Sequence, residues 1–188
     1  MRFLIRAGAI AGVAAFSAAL LACGGGDSLE AVDADDWVED VCDEATDFQA
    51  ELDEAADDFG ALLDEGNPDD ITEGAADFEE SLHESVDDFV AEIESIGKPD
   101  IEGGDEVIDA INAHADGRKE NVSEFRKAVE DIDEEDEEEF VDAVFDAGDE
   151  LEEADLRNAL EEIEQDEVDD LIEDIDNTDD CGSIMFNS

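Results

Sequence analysis

The sequence predicts an all-α fold: an antiparallel bundle of about four long amphipathic helices, followed by a short C-terminal helix and a tail stapled back by a disulfide. Two observations set the fold class. Apolar residues recur at alternating steps of three and four over long stretches, which is the spacing of a helical seam. No stretch alternates apolar and polar residues between turn signals, so nothing reads as a strand. The connections between seams are short and carry glycine and proline, which favours antiparallel neighbours.

The first helix runs from Asp35 to about Glu65, with apolar residues at Val38, Val41, Ala45, Phe48, Leu52, Ala55, Phe59 and Leu62. Steps of three and four alternate there without a break, so a helix about 45 Å long presents one continuous seam. Trp37 and Cys42 lie beside that seam, and Gly66-Asn67-Pro68 ends the helix. The second helix, Asp69–Ile96, repeats the pattern from Ile71 to Ile96 with one extra step of four, a small stutter. Gly97-Lys98-Pro99-Asp100 and Gly103-Gly104 are turn chemistry. A third helix from Asp105 to about Ile132 carries Ile108, Ile111, Ala115, Val122, Phe125, Val129 and Ile132, with Arg118 at its one polar step. After the acidic run 133–139, a fourth seam carries Phe140, Val144, Ala147 and Leu151, then Leu156, Leu160 and Ile163. Val168–Ile175 is a last amphipathic piece before the tail with Cys181.

Charge restricts function. The 188 residues hold 64 acids against 8 bases, a net charge of −56. So negative a surface repels phosphates, which excludes electrostatic binding to nucleic acid or to anionic lipid headgroups. Few aromatics with high charge favours disorder, but 42% hydrophobic residues suffice for one core in one domain. Self-repulsion opposes compaction unless ions screen it, and the screening length falls from about 10 Å at 0.1 M salt to about 3 Å at 1 M. Adaptation to salty surroundings is the simplest account of the acidity, and acidity for solubility alone is the other.

Residues 1–22 differ from everything after them. Arg2 and Arg6 precede an acid-free apolar run, Ala7–Leu21, the layout of a secretory signal that is too short for a bilayer span of roughly 20 residues. Leu20-Leu21-Ala22-Cys23 then resembles the lipobox of bacterial lipoproteins, in which the signal is cut before the cysteine and that thiol is acylated. The resemblance implies that Cys23 is the lipid anchor, that the lipid bilayer is a partner through its acyl chains, and that the protein faces the extracytoplasmic side of the cell membrane. Residues 23–33 read as the lipidated cysteine and a flexible glycine-containing tether, and 34–188 as the acidic helical-bundle domain. With Cys23 consumed by lipid, Cys42 and Cys181 remain, and an exported domain with two leftover cysteines most simply pairs them.

The lipobox, Trp37 with Cys42 five residues on, Gly97-Lys98-Pro99 midway and the lone Cys181 near the end together resemble small secreted lipoproteins of actinobacteria. That family is less acidic than this chain and brings no established activity with it.

Several constellations bear on chemistry. Arg118, Lys119, Arg126 and Lys127 are four bases on one helix. Arg118, Val122 and Arg126 share a face, either to pair with carboxylates of neighbouring helices or to dock an acidic partner. Glu80-Ser81-Leu82-His83 is a Glu-x-x-His, but a di-iron bundle needs that motif twice, and Ile111 stands three before His114. The acidic runs 133–139 and 176–180 raise calcium binding, but a loop read from Asp174 or Asp176 lacks the sixth-position glycine and the closing glutamate of an EF-hand. Neither a nucleophile elbow nor a phosphate-cradling glycine loop occurs, so no catalytic residues, no metal ligands and no cofactor are expected. The sequence points to a non-enzymatic, membrane-anchored binding or envelope-interaction module of unknown partner. The alternative is a surface protein that binds divalent cations, calcium foremost; otherwise cations are only loosely gathered.

Overall fold

The computed structural model describes residues 29–133, 136–149, 156–178 and 181–187. The signal segment, Cys23, the first part of the tether and Leu151 lie outside the described residues. Three long helices form the body: α1 (Ala34–Glu65), α2 (Pro68–Ile96) and α3 (Gly104–Glu130). Their ends follow local chemistry. Asp33 caps α1 by accepting from the Asp35 amide at 3.2 Å, and Asn67 caps α2 from Asp69 at 3.2 Å. Acids in both first turns suit the positive end of the helix dipole. Gly66 closes α1 in the left-handed conformation (φ 74°) and turns the chain into Pro68.

The fourth leg is described in two pieces, α4 (Glu137–Asp149) and α5 (Leu156–Glu161), both packed along α3. α6 (Asp166–Asn177) matches the last amphipathic piece of the sequence. The tail beyond it is itself a seven-residue helix, α7 (Cys181–Asn187), packed on α1 and α6. The architecture is all-α and antiparallel, and the Cys42–Cys181 disulfide (Cα–Cα 5.4 Å) joins the tail to the first helix across 139 residues of sequence.

Two details depart from the sequence reading. Ala31–Val32 (β1) and Lys98–Pro99 (β2) form a two-residue parallel ladder, where no strand was expected. Segments this short carry no alternation to read. The expected tether 23–33 is therefore held down over its last residues: Lys98 donates its backbone N–H to Glu30 O at 2.9 Å and Asp100 to Val32 O at 2.7 Å. The close approach needs Gly97, at φ 111°, where a Cβ would lie 2.4 Å from the Glu30 carbonyl oxygen.

Two apolar clusters fill the bundle, one toward each end. The larger gathers Trp37, Val41 and Ala45 with Ile93, Val107, Ile111 and the inner faces of α5, α6 and α7. Trp37 is wholly buried there, and its indole N–H donates to Gly97 O at 3.0 Å. The smaller is aromatic: Phe59, Phe78 and Phe125 stack and cross at 5.7–6.5 Å, closed by Phe140 and Val144 of α4. Among the described residues no helix is long and apolar enough to cross a membrane.

Candidate functional site

The polar residues that converge lie between α2 and α3. Glu79, His83 and Asp87 are spaced by four on α2 and share one face, opposite Lys119, Ser123 and Arg126 of α3. Lys119 Nζ pairs with Asp87 at 2.8 Å and with Asp116 at 3.3 Å. Arg126 pairs with Glu79 at 2.5 Å and with Glu130 on its own helix. His83 Nε2 lies 3.1 Å from the Lys119 carbonyl oxygen and 3.4 Å from Ser123 Oγ.

The direction of these bonds fixes what the cluster can do. A carbonyl only accepts, so His83 Nε2 carries the proton and donates it to Lys119 O. It therefore cannot take a proton from Ser123, and the two do not form a nucleophile–base pair. Ser123 instead donates to the Glu79 carboxylate, which, with Arg126 beside it, holds that group below its ordinary pKa. The hydrogen bond to Asp87 raises the Lys119 pKa, and the bond to Glu130 raises that of Arg126. Each charge state is reinforced, so the network is a cross-brace between two helices.

The four bases singled out in the sequence thus divide. Lys119 and Arg126 tie α3 to α2. Arg118 donates from Nε to His114 Nε2 at 3.1 Å, one turn away on α3. Lys127 is exposed. The sequence placed Arg118 and Arg126 on one face, but it did not reveal Glu79 or Ser123 as partners. The four-residue spacing of Glu79, His83 and Asp87 was the available signal.

The other candidates separate as well. Glu80 is exposed while His83 faces α3. His114 and Arg118 border a small apolar cavity, about 30 Å³, between Phe48, Phe89, Leu156 and Met185, room for little more than a water molecule. In the acidic run 133–139, Asp136 caps α4 by accepting from the amides of Glu138 and Glu139 at 3.1 and 3.3 Å. In the run 176–180, Asp176 pairs with Arg157, whose guanidinium also stacks 4.5 Å from the Phe186 ring centre. Asp179 and Asp180 lie outside the described residues. Among the described residues no three His, Cys, Asp or Glu side chains are placed to hold a metal ion.

Comparison with protein-family models, with curated proteins and with solved structures finds no match for this chain.

Proposed function

We propose that the protein is an extracytoplasmic lipoprotein, anchored in the cell membrane through Cys23, which acts as a non-enzymatic binding or envelope-interaction module. The observation that carries the reading is the cysteine arithmetic. Cys42 and Cys181 are bonded to each other in the interior, Cys181 being 1% exposed, and disulfides of this structural kind belong to exported proteins. That leaves Cys23, at the end of an acid-free apolar run behind two arginines, as the thiol available for acylation. Several acyl chains, each inserting at about 0.8 kcal/mol per CH₂, hold a protein firmly.

The binding role is supported by what the polar residues are committed to. His83 and Ser123 brace helices, and Lys119 and Arg126 are already paired with carboxylates. Recognition therefore falls to exposed helix faces. Fractionation of cells that express the wild type or Cys23→Ala is the test. The expected result is membrane recovery of the wild type and loss of the variant to the soluble fraction; equal recovery in the membrane fraction would overturn the anchor. The calcium reading has its own measurement. Titration with Ca²⁺ in 2 M NaCl is expected to give no saturable heat, and saturable micromolar binding would replace the present reading with the cation-binding one.

A further inference from the structure

The β1–β2 ladder sets how far the domain can stand from whatever holds residue 23. Cys23 lies eleven residues ahead of Ala34, where α1 begins. A chain spans at most about 3.6 Å per residue, so eleven residues left loose would reach about 40 Å. That approaches the length of α1, whose 32 residues run about 48 Å. A body on so long a tether can turn end over end. The ladder takes the last five of those residues out of the tether. Leu29 packs against the larger apolar cluster, Glu30 O and Val32 O accept from the amides of Lys98 and Asp100, and Asp33 caps α1. Six residues then separate Cys23 from the first fixed one, a reach of about 20 Å. The tether is now shorter than half the body.

The ladder also fixes which end of the bundle is held. It joins the start of α1 to the segment between α2 and α3. The Glu102 amide donates to the Glu167 carboxylate at 2.6 Å, so the start of α6 lies at the same end. The α1–α2 turn at Gly66 and Asn67 closes the opposite end, where Phe59, Phe125, Phe140 and Val144 form the aromatic cluster.

Charge opposes the freedom that a short tether leaves, which is to lie flat. Across their 32 and 29 residues α1 and α2 carry no Lys and no Arg. An open groove along their flank is walled by Glu51, Glu54 and Asp58 of α1 and by Glu84 and Asp88 of α2. Nearer the ladder, burial, followed by the charges of Glu92, Asp47, Asp43 and Asp40, pushes the Glu44 carboxyl up. Laid along an anionic bilayer, such a flank would bring a whole row of like charges within the screening length of about 10 Å at 0.1 M salt, whereas an upright bundle brings only one end. We infer that the β1–β2 ladder is an orienting strap: with Cys23 acylated, the end built from β1, β2 and the starts of α3 and α6 faces the lipid bilayer, and the α1–α2 turn stands outermost. The inference rests on the lipoprotein reading and adds to it which surface the bilayer meets.

The test uses the full-length oxidised protein, purified from membranes and reconstituted on vesicles of phosphatidylcholine with about a third phosphatidylglycerol. A single dye is attached through Asp36→Cys or through Asp64→Cys, exposed positions of α1 that stand about 42 Å apart along the helix. Energy transfer to an acceptor on the lipid headgroups reads the height of each dye. The dye at 36 is expected to lie nearer the bilayer by more than about 30 Å. Inserting five glycine and serine residues between Ser28 and Leu29 restores the eleven-residue reach without touching the fold, and is expected to shrink that difference to less than half. Gly97→Ala is expected to do the same, because its Cβ would lie 2.4 Å from the Glu30 carbonyl oxygen. Gly66→Ala, also at positive φ but with nothing within 4 Å of the added Cβ, is expected to keep the difference. The insertion decides alone if Gly97→Ala does not fold. Equal heights in the wild type, or a difference that the insertion leaves intact, would overturn the strap. Flotation of the same samples scores the anchor. Protein that stays behind when the vesicles float removes the anchor and the strap together, whereas protein that floats with both dyes at one height removes the strap and leaves the lipoprotein reading standing.

Discussion

The seam between α1 and α2 and the seam between α2 and α3 share a helix and differ in how charge is handled. Both bury heptad-like apolar rows, and both are flanked by acids. Between α2 and α3, Lys119 and Arg126 meet Asp87 and Glu79, and His83 and Ser123 fill the space between the pairs. Between α1 and α2 acid faces acid, because neither helix has a Lys or Arg to offer. Hydrophobic burial therefore holds the first seam against repulsion, while the second adds directional contacts. One helix can take part in both because its two faces carry different side chains: Glu79, His83 and Asp87 on one, Ser81, Glu84 and Asp88 on the other.

Four measurements can break or sharpen this contrast. The largest effect is expected from Cys42→Ser/Cys181→Ser. The bond closes a loop of 139 residues, which chain entropy values at about 4–5 kcal/mol. Since it ties down α1, the loss in thermal denaturation should be greater in dilute buffer than in 2 M NaCl. An equal loss at both salts would mean that the bond does not work against repulsion. Salt alone comes next: screening should raise the melting midpoint of the oxidised wild type by roughly 10 °C between dilute buffer and 2 M NaCl at pH 7. An unchanged midpoint would remove the argument from repulsion.

pH should act on the two seams with opposite sign. The raised pKa of Glu44 makes its charge a cost to the fold above that pKa, relieved as pH falls through it. The lowered pKa of Glu79 makes its charge a gain that is complete above the ordinary carboxylate value of about 4 and is lost as pH falls through its folded value. Stability followed by circular dichroism should therefore rise from pH 7 toward about 4.5 and fall at more acid pH. Glu79→Gln should blunt the acid limb without changing the rise; a curve that only falls from pH 7 downward would contradict the assignment. The smallest effects are single charges. Glu84→Lys should stabilise by about 0.5 kcal/mol by placing a first cation in the α1–α2 groove, and Lys119→Gln should destabilise by about the same amount. Equal signs in urea denaturation would erase the difference between the seams.

The long helices were legible because their signals are redundant. Thirty residues of regular spacing, a left-handed glycine, an asparagine cap and a proline agree on where α1 ends and α2 begins, so the boundaries fall within a residue or two of the reading. α7 was not legible. Seven residues including Gly182 and Ser183 give no periodicity, and a helix that short depends on the disulfide and on the burial of Met185. The β1–β2 ladder was hidden for a related reason, since its information lies in Gly97 meeting a backbone that is distant in sequence. The basic cluster was visible as composition, and its pairing with neighbouring carboxylates was one of two open readings. Which carboxylates meet Lys119 and Arg126 depends on the relative register of α2 and α3, a quantity no local spacing contains.

The short ladder also gives the molecule a mechanical property. A pull on the chain ahead of Leu29, directed along β1, loads the Lys98–Glu30 and Asp100–Val32 hydrogen bonds side by side in shear, because the two strands run parallel. The load then reaches the Gly97 region, where the Trp37 indole holds the start of α1 to the same carbonyl-bearing turn, and the Cys42–Cys181 bond shares it with the C-terminal helix. Tension at the N-terminal end is thus distributed over two covalently joined ends of the chain before it can peel α1 from the bundle.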